Sequence, residues 1–186
     1  MRIIGGNFKG KKILEPKDKE TRPLKDLTKE SIFNIINHSN KFSIELEESY
    51  VLDLFSGTGS FGLECFSRGA KNVTFIENHK NTIKVLKKNI SSVKAEKNIK
   101  IIEKDCFQVL EIEKMFQDKY DLIFIDPPYK EKKINLILKN IFKNKILKYN
   151  GIIILHRHKN DDVKIEKDIN IIESRLYGIS KIIFCN

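Results

Sequence analysis

From Tyr50 onward, short apolar runs alternate with amphipathic stretches, and this rhythm restricts the fold more than any other feature of the chain. The runs are Val51-Leu52-Asp53-Leu54-Phe55, Val73-Thr74-Phe75-Ile76, Ile99-Lys100-Ile101-Ile102, Leu122-Ile123-Phe124-Ile125 and Ile152-Ile153-Ile154-Leu155. The stretches between them predict helices near residues 60–68, 80–92, 106–116 and 132–144. Strands separated by helices pair in parallel through right-handed crossovers, so the pattern predicts a doubly wound, Rossmann-like α/β sheet. Further on, Ile169 to Ser174 and Ile179 to Phe184 are β-rich runs separated by Tyr177-Gly178, with no helix between them. They predict a closing hairpin and hence at least one antiparallel strand.

The first 40 residues follow another pattern. Arg2-Ile3-Ile4, the turn-like Gly5-Gly6-Asn7, Gly10 and then Lys12-Ile13-Leu14 read as a small hairpin with a basic loop. A helix capped near Asp26 or Thr28 should follow, with Leu27, Ile32, Ile35 and Ile36 on its apolar face. The 186 residues thus divide into a β-hairpin/helix appendage at 1–40 and a sheet domain at 41–186. No stretch approaches the ~18 apolar residues of a membrane span, and the N-terminus lacks the features of a signal peptide, so a cytoplasmic protein is expected. Cys65, Cys106 and Cys185 are too scattered for a zinc knuckle or a disulfide framework and read as reduced, buried thiols.

Chemistry-bearing residues gather at the ends of the predicted strands. Asp53-Leu54-Phe55-Ser56-Gly57-Thr58-Gly59-Ser60-Phe61-Gly62 leaves a strand, turns through glycines and opens a helix. Such glycines let backbone approach a ligand, and the N–H groups of Gly57 and Gly59 suit an anionic group. Glu77, at the end of the second strand, is placed to accept hydrogen bonds from ribose hydroxyls, and Asp105 follows the third strand before Cys106-Phe107. Three successive loops therefore bring acids to one sheet edge, as a nucleoside site requires. After the fourth strand comes Asp126-Pro127-Pro128-Tyr129. Two prolines remove two N–H donors and leave carbonyl acceptors, which the Asp carboxylate and an aromatic face complement. That set suits a planar base with an exocyclic amine stacked on Tyr129.

Asp53-x-Phe55-x-Gly57-x-Gly59 followed by Asp126-Pro127-Pro128-Tyr129 resembles the amino-group-modifying branch of class I S-adenosylmethionine-dependent methyltransferases. The N-terminal Met1-Arg2-Ile3-Ile4-Gly5-Gly6 with Gly10-Lys11-Lys12, then Arg22-Pro23 and Lys29-Glu30-Ser31-Ile32-Phe33-Asn34, is similar to the RsmD family of 16S rRNA guanine(966)-N2 methyltransferases. The family usually has Thr after Arg-Pro and Arg before Glu, where this chain has Leu24 and Lys29. The resemblance implies S-adenosylmethionine as cofactor, held by Asp53, Phe55, Ser56, Gly57, Gly59, Glu77, Asn78, Asp105, Cys106 and Phe107. Within that set Asp53 would lie near the methionine ammonium, Glu77 would bind the ribose, and Asp105 with Phe107 would hold the adenine. It also implies a guanine N2 amine oriented by Asp126 and the Pro127 carbonyl over Tyr129. The partner is then 16S rRNA within the assembled small subunit, met by a monomeric enzyme.

The net charge of +10 favours polyanionic partners, and its excess sits in two segments. Residues 1–30 hold nine Lys or Arg against five Asp or Glu, and residues 130–148 hold seven Lys against Glu131 alone. Lys9, Lys11, Lys12, Arg22, Lys130, Lys132 and Lys133 are the expected RNA contacts, flanking the pocket mouth. His156 and His158 share a strand face but lack a third partner at metal-ligating spacing, so no metal is expected. Three other readings compete: an amino methyltransferase acting on adenine N6 or cytosine N4 of DNA or on another RNA, a dehydrogenase using Gly57-x-Gly59-x-x-Gly62, and a catalytically silent rRNA-binding assembly factor.

Overall fold

The computed structural model describes residues 1–16, 24–111, 116, 118–161 and 164–186. Helix α1 (Asp26–His38) precedes β1 (Tyr50–Leu54), α2 (Ser60–Ser67), β2 (Asn72–Ile76), α3 (Lys80–Ser92), β3 (Ile99–Ile102), α4 (Cys106–Glu111), β4 (Tyr120–Ile125), α5 (Ile134–Lys143), β5 (Leu147–His158), β6 (Ile171–Tyr177) and β7 (Ser180–Cys185). The described strands form one seven-stranded sheet in the order β3-β2-β1-β4-β5-β7-β6. β1 to β5 pair in parallel, and β7 runs antiparallel between β5 and β6. This is the doubly wound arrangement that the alternation predicts, closed by the antiparallel pair expected from the C-terminal runs. The strand order reverses between β1 and β4, where Leu54 lies beside Ile125. Open α/β sheets bind ligands at that position, beyond the carboxyl ends of the strands.

Alternation along the buried strands sends side chains to two helical layers. Val51, Val73, Phe75, Leu122 and Phe124 face α1, α2 and α3, where Phe33, Phe61 and Phe124 stack with centroid spacings of 5.2 and 3.9 Å. Leu52, Leu54, Ile76, Ile123 and Ile125 face α4 and α5. Ile3, Ile13, Leu24, Ile32, Phe33 and Ile36 join the first of these cores, so the N-terminal segment shares apolar packing with the sheet.

The expected hairpin is a narrow ladder around one antiparallel bridge, Arg2 with Lys12. α1 begins at Asp26, but neither Asp26 nor Thr28 is its cap: the N-cap is Lys25, with no side-chain cap. Its inward face differs from expectation: Leu27 is exposed, while Lys29 and Phe33 are buried with Ile32 and Ile36. Lys29 is tolerated inside because its Nζ donates to the Arg2 carbonyl at 2.7 Å and to Ser60 Oγ at 3.1 Å, and pairs with the buried Glu64 at 3.4 Å. Burial lowers the Lys29 pKa, against the opposing field of Glu64. Glu64 also accepts the N–H groups of Ile4 and Gly5, each at 2.8 Å, and the Arg68 Nε–H at 2.8 Å. An acid on α2 thereby replaces the sheet partner that the N-terminal strand lacks.

Candidate active site

The loop from β1 to α2 is bent by three residues in the left-handed region: Phe55 (φ 56°), Gly57 (φ 55°) and Gly59 (φ 84°). Such a conformation is costly for phenylalanine, and residues held this way concentrate at functional sites. Asp53 points from β1 beneath α2, and its Oδ2 accepts the Gly62 N–H at 3.0 Å. It caps that helix from outside, since Gly59 at the N-cap has no side chain to do so. Burial holds the Asp53 carboxyl well above the usual carboxylate range; the Gly62 amide opposes this, while the charges of Asp126 and Glu77 add to it. A cationic neighbour would restore the ionised form.

Glu77 turns back to the same loop. One oxygen accepts the Gly57 N–H at 2.8 Å, and the other accepts the N–H groups of Asn78 and His79, each at 2.9 Å. The Gly59 N–H donates to the Ser56 carbonyl at 2.9 Å. The glycine amides thus close the turn internally, which corrects their reading as anion donors. At Gly59 and Gly62 the missing side chain makes room for Leu86 and Phe75, at 2.5 and 2.3 Å from an added Cβ, rather than for a ligand. Beside them, Ser56 Oγ is buried without a hydrogen-bond partner, as expected of a group awaiting one from outside the chain.

On the β4 side, Asp126 Oδ1 lies 2.8 Å from His156 Nδ1, and His156 Nε2 lies 2.9 Å from Ser180 Oγ. The next residue on β5, Arg157, is buried behind the loop. Its guanidinium donates to the carbonyls of Pro128, Tyr129 and Glu131 at 3.3, 3.1 and 2.9 Å and pairs with Asp161. The arginine thereby satisfies carbonyls of the proline-containing loop, of which that of Pro128 also accepts the Glu131 N–H at 2.8 Å, and that of Pro127 is not among them. The Tyr129 ring meets His158 and His156 edge-on, at 5.3 and 6.1 Å.

One cavity of about 570 Å³ joins the two sides. Asp53, Phe55, Ser56, Gly57, Glu77 and Asn78 line it together with Asp126, Pro127, Pro128, Tyr129 and Lys130, and Leu24 and Lys25 reach it from the N-terminal segment. Gly59, Asp105, Cys106 and Phe107 stand behind this lining. Asp105 accepts the N–H groups of Phe107 and Gln108 as the cap of α4 and holds the Asn78 side-chain amide at 3.2 Å, while Phe107 meets Phe55 edge-on at 6.1 Å. Burial raises all three thiols, Cys185 to about 12, which leaves them unreactive.

The basic residues separate. Lys130, Lys132 and Lys133 are exposed next to the double-proline corner. The loop bearing Lys9 sits at the other end of α2 from the cavity, where Gly5 and Phe8 bond Ser67 Oγ, so Lys9 does not flank the mouth. Lys11 and Lys12 are exposed on the returning strand and outside the cavity lining, whereas Lys25, which sequence reasoning passed over, is within it. Arg22 lies outside the described residues. His156, Arg157 and Ser180 were also passed over as site residues; the sequence signal for the first two is the polar His156-Arg157-His158 that ends an apolar run, and Ser180, which opens β7, carries none.

The family model Conserved hypothetical protein 95 matches residues 1–186. A candidate rRNA methyltransferase of Bacillus subtilis, YlbH, is 29% identical over 97% of this chain and 95% of its own length. The ribosomal RNA small subunit methyltransferase D of Buchnera aphidicola subsp. Acyrthosiphon pisum is 30% identical over 94% of this chain and 86% of its own. The fold superposes on a methyltransferase candidate from Escherichia coli with a TM-score of 0.83 at 22% identity, over 100% and 96% of the two chains. It also superposes on a methyltransferase candidate solved in complex with SAH, with a TM-score of 0.64 at 19% identity, over 86% of this chain and 49% of that one. With the family model spanning the whole length and a named relative at this identity, the chain belongs to the Conserved hypothetical protein 95 family, that of the ribosomal RNA small subunit methyltransferases D.

Proposed function

We propose that this protein methylates the exocyclic N2 amine of a guanine in 16S rRNA, acting as a cytoplasmic monomer on the assembled small subunit with S-adenosylmethionine as methyl donor. The observation that carries the reading is the shared cavity: a buried acid and an unpartnered serine hydroxyl face the Asp126-Pro127 acceptor corner across about 570 Å³. These residues fit the donor. The Asp53 carboxyl suits an ammonium, Ser56 Oγ lacks a partner, and Glu77, with two amides on one oxygen and the Gly57 amide on the other, keeps a lone pair on the latter for a ribose hydroxyl. When bound, S-adenosylmethionine supplies a methyl group activated on a sulfonium.

The chain's contribution is chiefly positional. Asp126 and the Pro127 carbonyl accept the two amine hydrogens, so that the nitrogen lone pair leaves conjugation and turns across the cavity. Tyr129 stacks on the base. The amine proton becomes acidic only as the N–C bond forms, and Asp126 receives it then. The base must be unstacked to enter, which costs least in an RNA loop. Lys25, Lys130, Lys132 and Lys133 would hold phosphates at the rim, and Lys9, Lys11, Lys12 and Arg22, in the 1–40 appendage, would meet RNA farther out.

The test offers labelled methyl donor to small subunits and to free rRNA from cells lacking the gene, then maps the product nucleotide. Label on a single guanine N2 of the subunit is expected, and Asp126→Ala should abolish turnover while RNA binding survives. Label confined to DNA, or full turnover in Asp126→Ala, would overturn the reading.

A further inference from the structure

We infer that His156 is a positioning residue for Asp126: its Nδ1–H pins one carboxylate oxygen so that the other is presented to the substrate amine. The inference rests on the methyl-transfer reading of the same cavity.

Register brings the two residues together. Ile125 of β4 lies beside Leu155 of β5, so the next position on each strand places Asp126 beside His156. The imidazole is 7% exposed, and both ring nitrogens are engaged, Nδ1 with Asp126 Oδ1 at 2.8 Å and Nε2 with Ser180 Oγ at 2.9 Å. An ionised carboxylate only accepts, so the proton on a neutral ring resides on Nδ1, and Nε2 accepts from the Ser180 hydroxyl. Ser180 is held in turn by the β5–β7 pairing, opposite His158. The chain Ser180 to His156 to Asp126 thus has one consistent direction of donation, and it leaves Asp126 Oδ2 for the cavity.

The backbone behind Asp126 is fixed from the same strand, because Arg157 holds the carbonyls of Pro128, Tyr129 and Glu131. With those carbonyls held, the freedom of the acceptor set that they do not restrain is rotation of the Asp126 side chain. His156 removes that freedom, and the amine must meet an acceptor in one orientation for its lone pair to be in line.

Two measurements test this. Imidazole nitrogen NMR of the full-length protein should show His156 protonated at Nδ1, with a strongly deshielded N–H proton that Asp126→Ala abolishes; a ring protonated at Nε2 in the unmutated protein overturns the inference. In steady-state methyl transfer to small subunits, His156→Phe should lower kcat by about 10²-fold with the donor KM within about twofold, the loss expected of a misplaced reacting group. His156→Asn, whose amide reproduces the Nδ1 donor, should recover most of kcat. His156→Gln, whose amide falls nearer Nε2, should not. Wild-type kcat in His156→Phe, or equal rescue by Gln and Asn, overturns the inference while the proposed function stands. If the unmutated protein methylates no rRNA, the function reading fails and the tautomer measurement still decides the His156–Asp126 contact.

Discussion

Asp53 shows how one side chain trades stability against binding. Its folded-state pKa is raised by burial, so the folded protein keeps a proton that the unfolded chain releases. The stability this group contributes is therefore complete below the ordinary carboxylate range and is lost as pH rises through the raised value. Asp53→Asn removes that loss and can still accept the Gly62 amide. The ligand-free variant should melt higher at neutral pH, by about 2–4 °C for each kcal/mol gained, with a flatter decline toward alkaline pH. Donor affinity should fall at least about tenfold, because the charge that answers an ammonium is gone. Calorimetry and thermal melts check both halves; an unchanged donor Kd would remove Asp53 from the binding site. Asp53 is legible from its place at a strand end, but its role as an external cap for α2 is not, because the Gly62 amide it holds lies nine positions away.

At the scale of elements, α2 organises the N-terminal segment. Glu64 gathers the Ile4 and Gly5 amides, Arg68 and Lys29 around one buried carboxylate, and Asn89 of α3 accepts the Leu14 N–H at 2.8 Å while donating to the Leu14 and Thr58 carbonyls. Glu64→Ala strands a buried ammonium and two backbone donors, and should destabilise the protein by about 3–5 kcal/mol in urea titration. Amide exchange should then accelerate first at Ile4 and Gly5. Uniform acceleration across the sheet would show instead that the segment opens only with the whole molecule. Periodicity located α1 within two residues of its start, yet it placed Leu27 inward and overlooked Lys29. Apolar spacing identifies which residues prefer burial; it carries no information about a lysine whose partners sit 27, 31 and 35 positions away.

For the molecule as a whole, the excess of positive charge should act as a salt-dependent grip on RNA. With a short single-stranded oligonucleotide, each of Lys130→Ala, Lys132→Ala and Lys133→Ala should lower the slope of log K against log salt by about 0.7, the value for one lost phosphate contact. Lys9→Ala should leave that slope unchanged, since its loop lies beyond the far end of α2, yet weaken binding to the small subunit. A shift with the oligonucleotide would return Lys9 to the pocket mouth. The amino-acid sequence by itself determined the succession of strands and helices and the doubly wound class, because apolar periodicity and right-handed connections leave only a handful of arrangements open. That class alone puts Asp53, Glu77 and Asp126 on a common sheet edge. Only the tertiary structure decided which groups meet there. His156 reaches Asp126 across 30 residues and Ser180 across 24. Both contacts depend on the register of β4 against β5 and on β7 pairing beside β5, which the packed sheet sets and no local pattern encodes.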